Sequence, residues 1–315
     1  MARARISVVG SGFVGATAAQ RLLEQELGDV VLYDVIEGTP QGIALDLAES
    51  APVRGFSVSA RGTNEPKDTY GSDLVLVTAG VPRKPGMSRS DLLEVNGRIV
   101  RDVATHVRTG SPNAIVVVVT NPLDPMTHLM RALTGFPANR VVGMAGILDS
   151  ARFRAFLAWE IGVSPRDVDA MVLGGHGDAM VPLLRYATVN GIQVERLLPK
   201  DRLERLVQRT RDGGAEIVNL LKTGSAYYAP SAAAVEMIRS ILRDEQRLLP
   251  CCAHLTGPYG IDGLYLGVPV VLGRTGVERV VELELAEAEK AALQRSAGEI
   301  RKDLDLLREK GLLPA

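Results

Sequence analysis

Two hydrophobic periods alternate along the first half of the chain. Short apolar runs recur at Ile6-Ser7-Val8-Val9, Val30–Tyr33, Phe56–Ala60, Leu74–Val77, Ile115–Val119 and Val141–Gly143. Between them apolar residues return every three or four positions, as in Leu22, Leu23 and Leu27, and in Leu92, Val95, Ile99, Val103 and Val107. Val/Ile/Leu runs without polar alternation suit strands buried on both faces, and the longer period suits the helices that cover them. The pattern predicts an α/β domain over residues 1–145, with a doubly wound parallel sheet.

Past residue 145 the pattern changes. Gly146 opens a helix through Phe153, Phe156, Leu157 and Trp159, and the apolar run Ala170–Leu173 ends in Gly174-Gly175-His176-Gly177-Asp178. Helical spacing continues from Leu203 to Leu221 and through Ala234, Ile238 and Leu242. Three strand candidates follow at Leu248–His254, Leu264–Leu272 and Val277–Leu283; glycine-containing turns join them, which predicts an antiparallel meander. The last helix carries one apolar stripe, Leu293, Ala297, Ile300, Leu304 and Leu307, expected to pack on its own domain. Residues 146–315 are therefore expected to form a mixed α+β domain with antiparallel strands.

Composition narrows the function. A chain of 315 residues has length for two domains, and 36 Lys and Arg against 37 Asp and Glu give no global field for nucleic acid or an anionic membrane. Cys251 and Cys252 are adjacent, so no disulfide framework is expected; with no signal-type or membrane-length apolar run, the expected location is the cytoplasm.

Candidate chemistry sits at strand ends. The first run leads directly into Gly10-Ser11-Gly12-Phe13-Val14-Gly15 and then a helix, the order of a Rossmann-type dinucleotide site: glycines for the tight turn, for close approach of the pyrophosphate and for helix packing. Asp34, about 20 residues on, ends the second run where an acid accepts ribose hydroxyls and repels a 2′-phosphate, which favours NAD over NADP. Thr120-Asn121-Pro122 ends another run, with the Asn121–Pro122 isomer left open. The stretch Val81–Asp91 holds Arg83, Lys84 and Arg89 among prolines and a glycine, and reads either as a solvated basic loop or as a lid over an anionic substrate. Asp149 and Arg152 share a helical face, either as a surface ion pair or as a site pair. His176, flanked by glycines, reads either as a turn histidine or as a proton-transfer group open to close approach.

Taken in order, Gly10-x-Gly12-x-x-Gly15, Asp34, Arg83/Arg89, Asn121, Asp149-x-x-Arg152, Gly174-Gly175-His176-Gly177-Asp178 and Ser225 resemble the lactate/malate dehydrogenase superfamily over essentially the whole chain. Arg-Lys-Pro-Gly-Met-Ser-Arg in the loop looks like its malate-specific bacterial branch, whose lactate-specific relatives typically carry glutamine at the position of Arg83. The resemblance implies a homodimeric or homotetrameric, NAD-dependent enzyme that interconverts malate and oxaloacetate without a metal. His176 would exchange the proton, with Asp149 fixing its tautomer. Arg152 would hold one carboxylate and Arg83 the other, Arg89 would polarise the carbonyl, Asn121 would hydrogen-bond near substrate and ribose, and Ser225 would line the pocket. Cofactor contacts would come from Gly10, Gly12, Phe13, Val14, Gly15, Asp34, Asn96, Thr120 and Asn121. The rivals are a lactate dehydrogenase, an NAD-dependent glycosidase, for which Cys251-Cys252 offers no metal-ligand spacing, and a non-catalytic NAD-binding protein.

Overall fold

In the computed structural model, which describes residues 3–82 and 86–314, the first half is built from β1 (Arg5–Val9), α1 (Phe13–Glu24), β2 (Asp29–Tyr33), α2 (Thr39–Arg54), β3 (Ala60–Thr63), β4 (Leu74–Val77), α3 (Arg89–Gly110), β5 (Ile115–Val118), α4 (Leu123–Thr134) and β6 (Val141–Gly143). β4 and β5 are apolar at every position and buried along their whole length, as the absence of alternation requires. α3 opens on a capping box: Ser88 Oγ accepts the Asp91 N–H and the Asp91 carboxylate accepts the Ser88 N–H, each at 3.0 Å. β3 starts at Ala60 instead of Phe56; Phe56 and Val58 are buried ahead of it, so their hydrophobicity serves the core without backbone pairing.

The second half adds α5 (Gly146–Ile161), β7 (Val168–Leu173), β8 (Val181–Val189), β9 (Ile192–Gln193), α6 (Lys200–Leu221), α7 (Tyr228–Leu242), β10 (Arg247–Thr256), β11 (Asp262–Gly273), β12 (Gly276–Val280) and α8 (Glu287–Glu309). The meander forms as expected, and it extends the first sheet: Cys252 of β10 pairs with Gly143 of β6, giving one nine-stranded sheet in the order β12-β11-β10-β6-β5-β4-β1-β2-β3. β1 to β6 are parallel, and the chain leaves β1 towards β2 on one side and returns to β4 on the other. That reversal opens a crevice at the carboxyl ends of β1 and β4.

β7, β8 and β9 form a separate antiparallel sheet whose core, with Phe153, Leu157, Val172 and Leu203, lies against α5 and α6. It is fastened to the large sheet where Gly174 donates its N–H to Gly267 of β11 at 2.8 Å. A Cβ on Gly267 would lie 2.3 Å from the Gly174 carbonyl oxygen, so only glycine lets the two backbones meet. This contact sets the height of the loop that carries His176. The stripe on α8 is buried as expected, but it covers both halves: Leu307 and Leu312, just past the helix, crowd Gly97 of α3 in the first half, while Ile300 lies beside Gly175.

Candidate active site

The turn after β1 is closed by steric demand. Gly10 has φ +102°, and a Cβ there would lie 2.5 Å from the Ala79 backbone nitrogen, while a Cβ on Gly15 would lie 1.9 Å from the Gly10 carbonyl oxygen. A Cβ at Gly12 meets nothing within 4 Å, so the first turn of α1 is open to the crevice, with unpaired N–H groups suited to a pyrophosphate. Val14 is half-buried against the core; Phe13 is exposed and stacks on Tyr227 at 5.1 Å. Asp34, at the end of β2, is turned towards this loop: Oδ2 accepts the Ser11 N–H at 2.7 Å and Oδ1 the Ile36 N–H at 3.1 Å. Backbone donors fix the carboxylate, which leaves it acceptor capacity for ribose hydroxyls.

Thr120 and Asn96 reach the site through the backbone. Thr120 Oγ1 donates to the Ala79 carbonyl at 2.7 Å, tying the ends of β4 and β5 together. Asn96, 1% exposed on α3, donates to the Asn121 carbonyl at 2.6 Å and the Val81 carbonyl at 3.1 Å, and accepts the Val81 N–H at 2.8 Å. Both amide hydrogens are thus used inside the protein, and Asn96 fixes two loops of the crevice instead of offering itself outward. Asn121 is exposed, and its bond to Pro122 is cis.

The proton-transfer group forms around Asp149, which is 2% exposed at its side chain in the first turn of α5. Its Oδ2 lies 2.8 Å from His176 Nδ1, and its Oδ1 accepts from Arg152 at 3.1 Å. Burial works to lower the His176 pKa, but the Asp149 charge and hydrogen bond outweigh it and hold the imidazole above its ordinary value. With Nδ1 facing Asp149, Nε2 is the atom left for substrate. Arg152 is 12% exposed at its side chain, and its buried Nε has no partner among the described residues, so part of the guanidinium fork is unspent. An anionic group fits such a fork.

Among the described residues, neither Arg89 nor Ser225 is hydrogen-bonded to this cluster. Arg89, the first residue of α3, pairs at 2.8 Å with Asp303 of α8, itself buried. Ser225 is exposed on the loop between α6 and α7. Arg83 lies outside the described residues. Two residues that sequence reasoning missed touch the His176 loop: Asp124 Oδ2 accepts the His176 N–H at 2.8 Å, and Ser296 Oγ accepts the Gly175 N–H at 2.7 Å. The available signals were an acid three positions after Asn121 at the start of an apolar helix, and a serine inside the stripe of α8.

The lactate/malate dehydrogenase NAD-binding domain model matches residues 4–143, and the lactate/malate dehydrogenase α/β C-terminal domain model matches residues 147–310. The chain belongs to the lactate/malate dehydrogenase family. The family brings NAD as the cofactor and an oxidoreductase activity, and the crevice above has the turn, the open helix end and the acid that NAD needs. Among sequence relatives, a malate dehydrogenase of Roseiflexus sp. (strain RS-1) is 55% identical over 306 residues, covering 97% of this chain and 99% of the relative. One from Chloroherpeton thalassium is 56% identical over 302 residues, covering 96% and 97%. Among solved structures, malate dehydrogenase from Salinibacter ruber superposes with a TM-score of 0.93 at 48% identity, covering 98% of this chain and 99% of that one. A Cryptosporidium parvum lactate dehydrogenase complexed with lactic acid and NAD gives 0.95 at 42% identity, with the same coverage. The fold is therefore common to enzymes of both substrates.

Proposed function

We propose that the chain interconverts (S)-malate and oxaloacetate with NAD, using His176 as proton acceptor and donor. The observation that carries this is Asp149, one buried carboxylate that holds the His176 ring at 2.8 Å and the Arg152 guanidinium at 3.1 Å. In malate oxidation His176 Nε2 takes the hydroxyl proton, and Asp149 stabilises the imidazolium that results; in reduction the imidazolium returns the proton to the C2 oxygen. The turn Gly10–Gly15 and Asp34 would hold NAD, which would supply the hydride chemistry at C2 when bound. Arg152 binds the carboxylate next to the reacting carbon with its free N–H groups, and Asn121 and Ser225 complete the pocket wall. Arg89 polarises the carbonyl after it leaves Asp303.

Arg83 selects the diacid. Lactate and malate dehydrogenases share this fold, so substrate choice rests on that side chain and on the relatives named malate dehydrogenase. A charge-assisted bond to a second carboxylate is worth about 1.5–3 kcal/mol, and pyruvate leaves the guanidinium unpaired. Arg83→Gln is expected to lower kcat/KM for oxaloacetate and raise it for pyruvate; an unchanged ratio would remove Arg83 from the account. The same reading divides the chain near residue 145, places it in the cytoplasm and has it assemble as a homodimer or homotetramer. Exposed Leu45 and Val53 on α2 and Leu220 and Leu221 on α6 are apolar side chains that assembly would cover.

A further inference from the structure

We propose that Asp124 is a positioning residue for His176: its carboxylate fixes the histidine's main chain while Asp149 fixes the ring. This inference rests on the proton-transfer role proposed above. Asp124 sits in the first turn of α4, three residues after Asn121, and is 4% exposed. A carboxylate buried this deeply is costly unless its oxygens are bonded. Its Oδ2 accepts the His176 N–H at 2.8 Å and the Cys252 thiol bonds the same carboxylate; burial raises the Asp124 pKa, and these bonds together with the His176 charge pull against it.

The loop leaves little freedom once this bond is made. Gly174 donates to Gly267, Gly175 to Ser296 and His176 to Asp124, so three successive N–H groups are tied to β11, α8 and α4. Three amides fixed in a row set the Cα position of His176, and Asp149 then sets the ring. α4 begins immediately after the Asn121 strand end, so Asp124 also links the nicotinamide side of the crevice to the proton-transfer group through one helical turn. Misplacement by about 1 Å is enough to cost roughly 10²-fold in rate, which is the scale such a clamp protects.

Charge adds a second effect. Among the described residues, the charged groups that act on His176 are Asp149 and Arg152 from α5 and Asp124 from α4. Both carboxylates favour the imidazolium and Arg152 opposes it, so at a pH where Asp124 is ionised, removing its charge moves the His176 titration to lower pH.

Asp124→Asn keeps an oxygen that can accept the His176 N–H and loses the charge; Asp124→Ala loses both. Each is assayed with NADH and oxaloacetate across pH, beside KM for NADH and a thermal melt. For Asp124→Ala, kcat is expected to fall by tenfold or more with KM for NADH unchanged. For Asp124→Asn, most of kcat is expected to return at low pH, with the alkaline limb displaced downward. Folded variants with wild-type kcat and an unmoved limb, or a lower melting temperature as the only change, overturn the proposal. Should neither variant fold, hydrogen exchange on the wild-type holoenzyme decides: the His176 amide is expected to be strongly protected, and exchange at unstructured rates overturns the clamp. Absence of turnover in the wild type is a different result; it defeats the reaction assigned above, while the exchange measurement still tests the clamp.

Discussion

Asp149→Asn separates the two tasks given to one carboxylate. The substitution is isosteric and removes the charge 2.8 Å from His176 Nδ1 at a side chain 2% exposed to solvent. A hydrogen bond to a charged partner in such a place is worth about 1.5–3 kcal/mol, which sets the scale on which the imidazolium loses support. The sign follows from the direction of the shift. Asp149 holds the His176 pKa up, so the imidazolium persists to higher pH than in a free histidine. Oxaloacetate reduction, which consumes the imidazolium, is therefore fast below that pKa and declines as pH rises through it; malate oxidation mirrors it. In Asp149→Asn the reduction limb is expected to move to lower pH, so that above it the rate falls by about 10–100-fold. Arg152 loses its anchor in the same step, so KM for oxaloacetate is expected to rise while KM for NADH stays constant. Initial rates of NADH oxidation across pH, with protein folding checked by melting, give all three quantities. A limb that stays in place, or moves to higher pH, would refute the assignment of Asp149 as the group that sustains the imidazolium.

Gly15→Ala is expected to abolish tight NADH binding and to destabilise the fold by about 2 kcal/mol or more, because the new Cβ would stand 1.9 Å from the Gly10 carbonyl oxygen; fluorescence titration with NADH and a denaturant melt check it. His128 provides a pH test of stability. Burial lowers its pKa to about 4, with His254, Arg131 and Arg308 adding to the effect, so the unfolded chain takes up a proton before the folded one does. Stability is then at its full value above about pH 6.5 and falls as pH drops towards about 4, by at most about 3 kcal/mol. His128→Gln is expected to flatten that part of the profile, and an equal acid slope in both proteins would contradict it.

Much of this was legible in the sequence because it was local. Buried strands announce themselves as Leu74–Val77 or Ile115–Val118, and the glycine turn with Asp34 combines short spacings with one steric logic. Asp149 and Arg152 are one helical turn apart, so their meeting at a common face follows from helix geometry. What stayed hidden depends on pairings between distant segments. Nothing in Cys252 or Gly143 alone says that the meander joins the parallel sheet, and the stripe of α8 does not name the halves it covers. Phe56 and Val58 show the limit of the apolar signal, since burial without pairing looks like a strand. Asp124 escaped notice for the opposite reason: a lone acid in an apolar helix gains its meaning from a backbone N–H 52 residues away. The pairing of Arg89 with Asp303 likewise depends on a helix more than 200 residues later.

The most direct test is a paired assay of the purified protein, NADH oxidation with oxaloacetate and with pyruvate under identical conditions. The account predicts a kcat/KM for oxaloacetate higher by about 10⁴ or more, since a site built around a charged partner rejects the analogue that lacks it. Equal rates, or a preference for pyruvate, would contradict the assignment to malate and oxaloacetate while leaving the family and the His176–Asp149 pair in place.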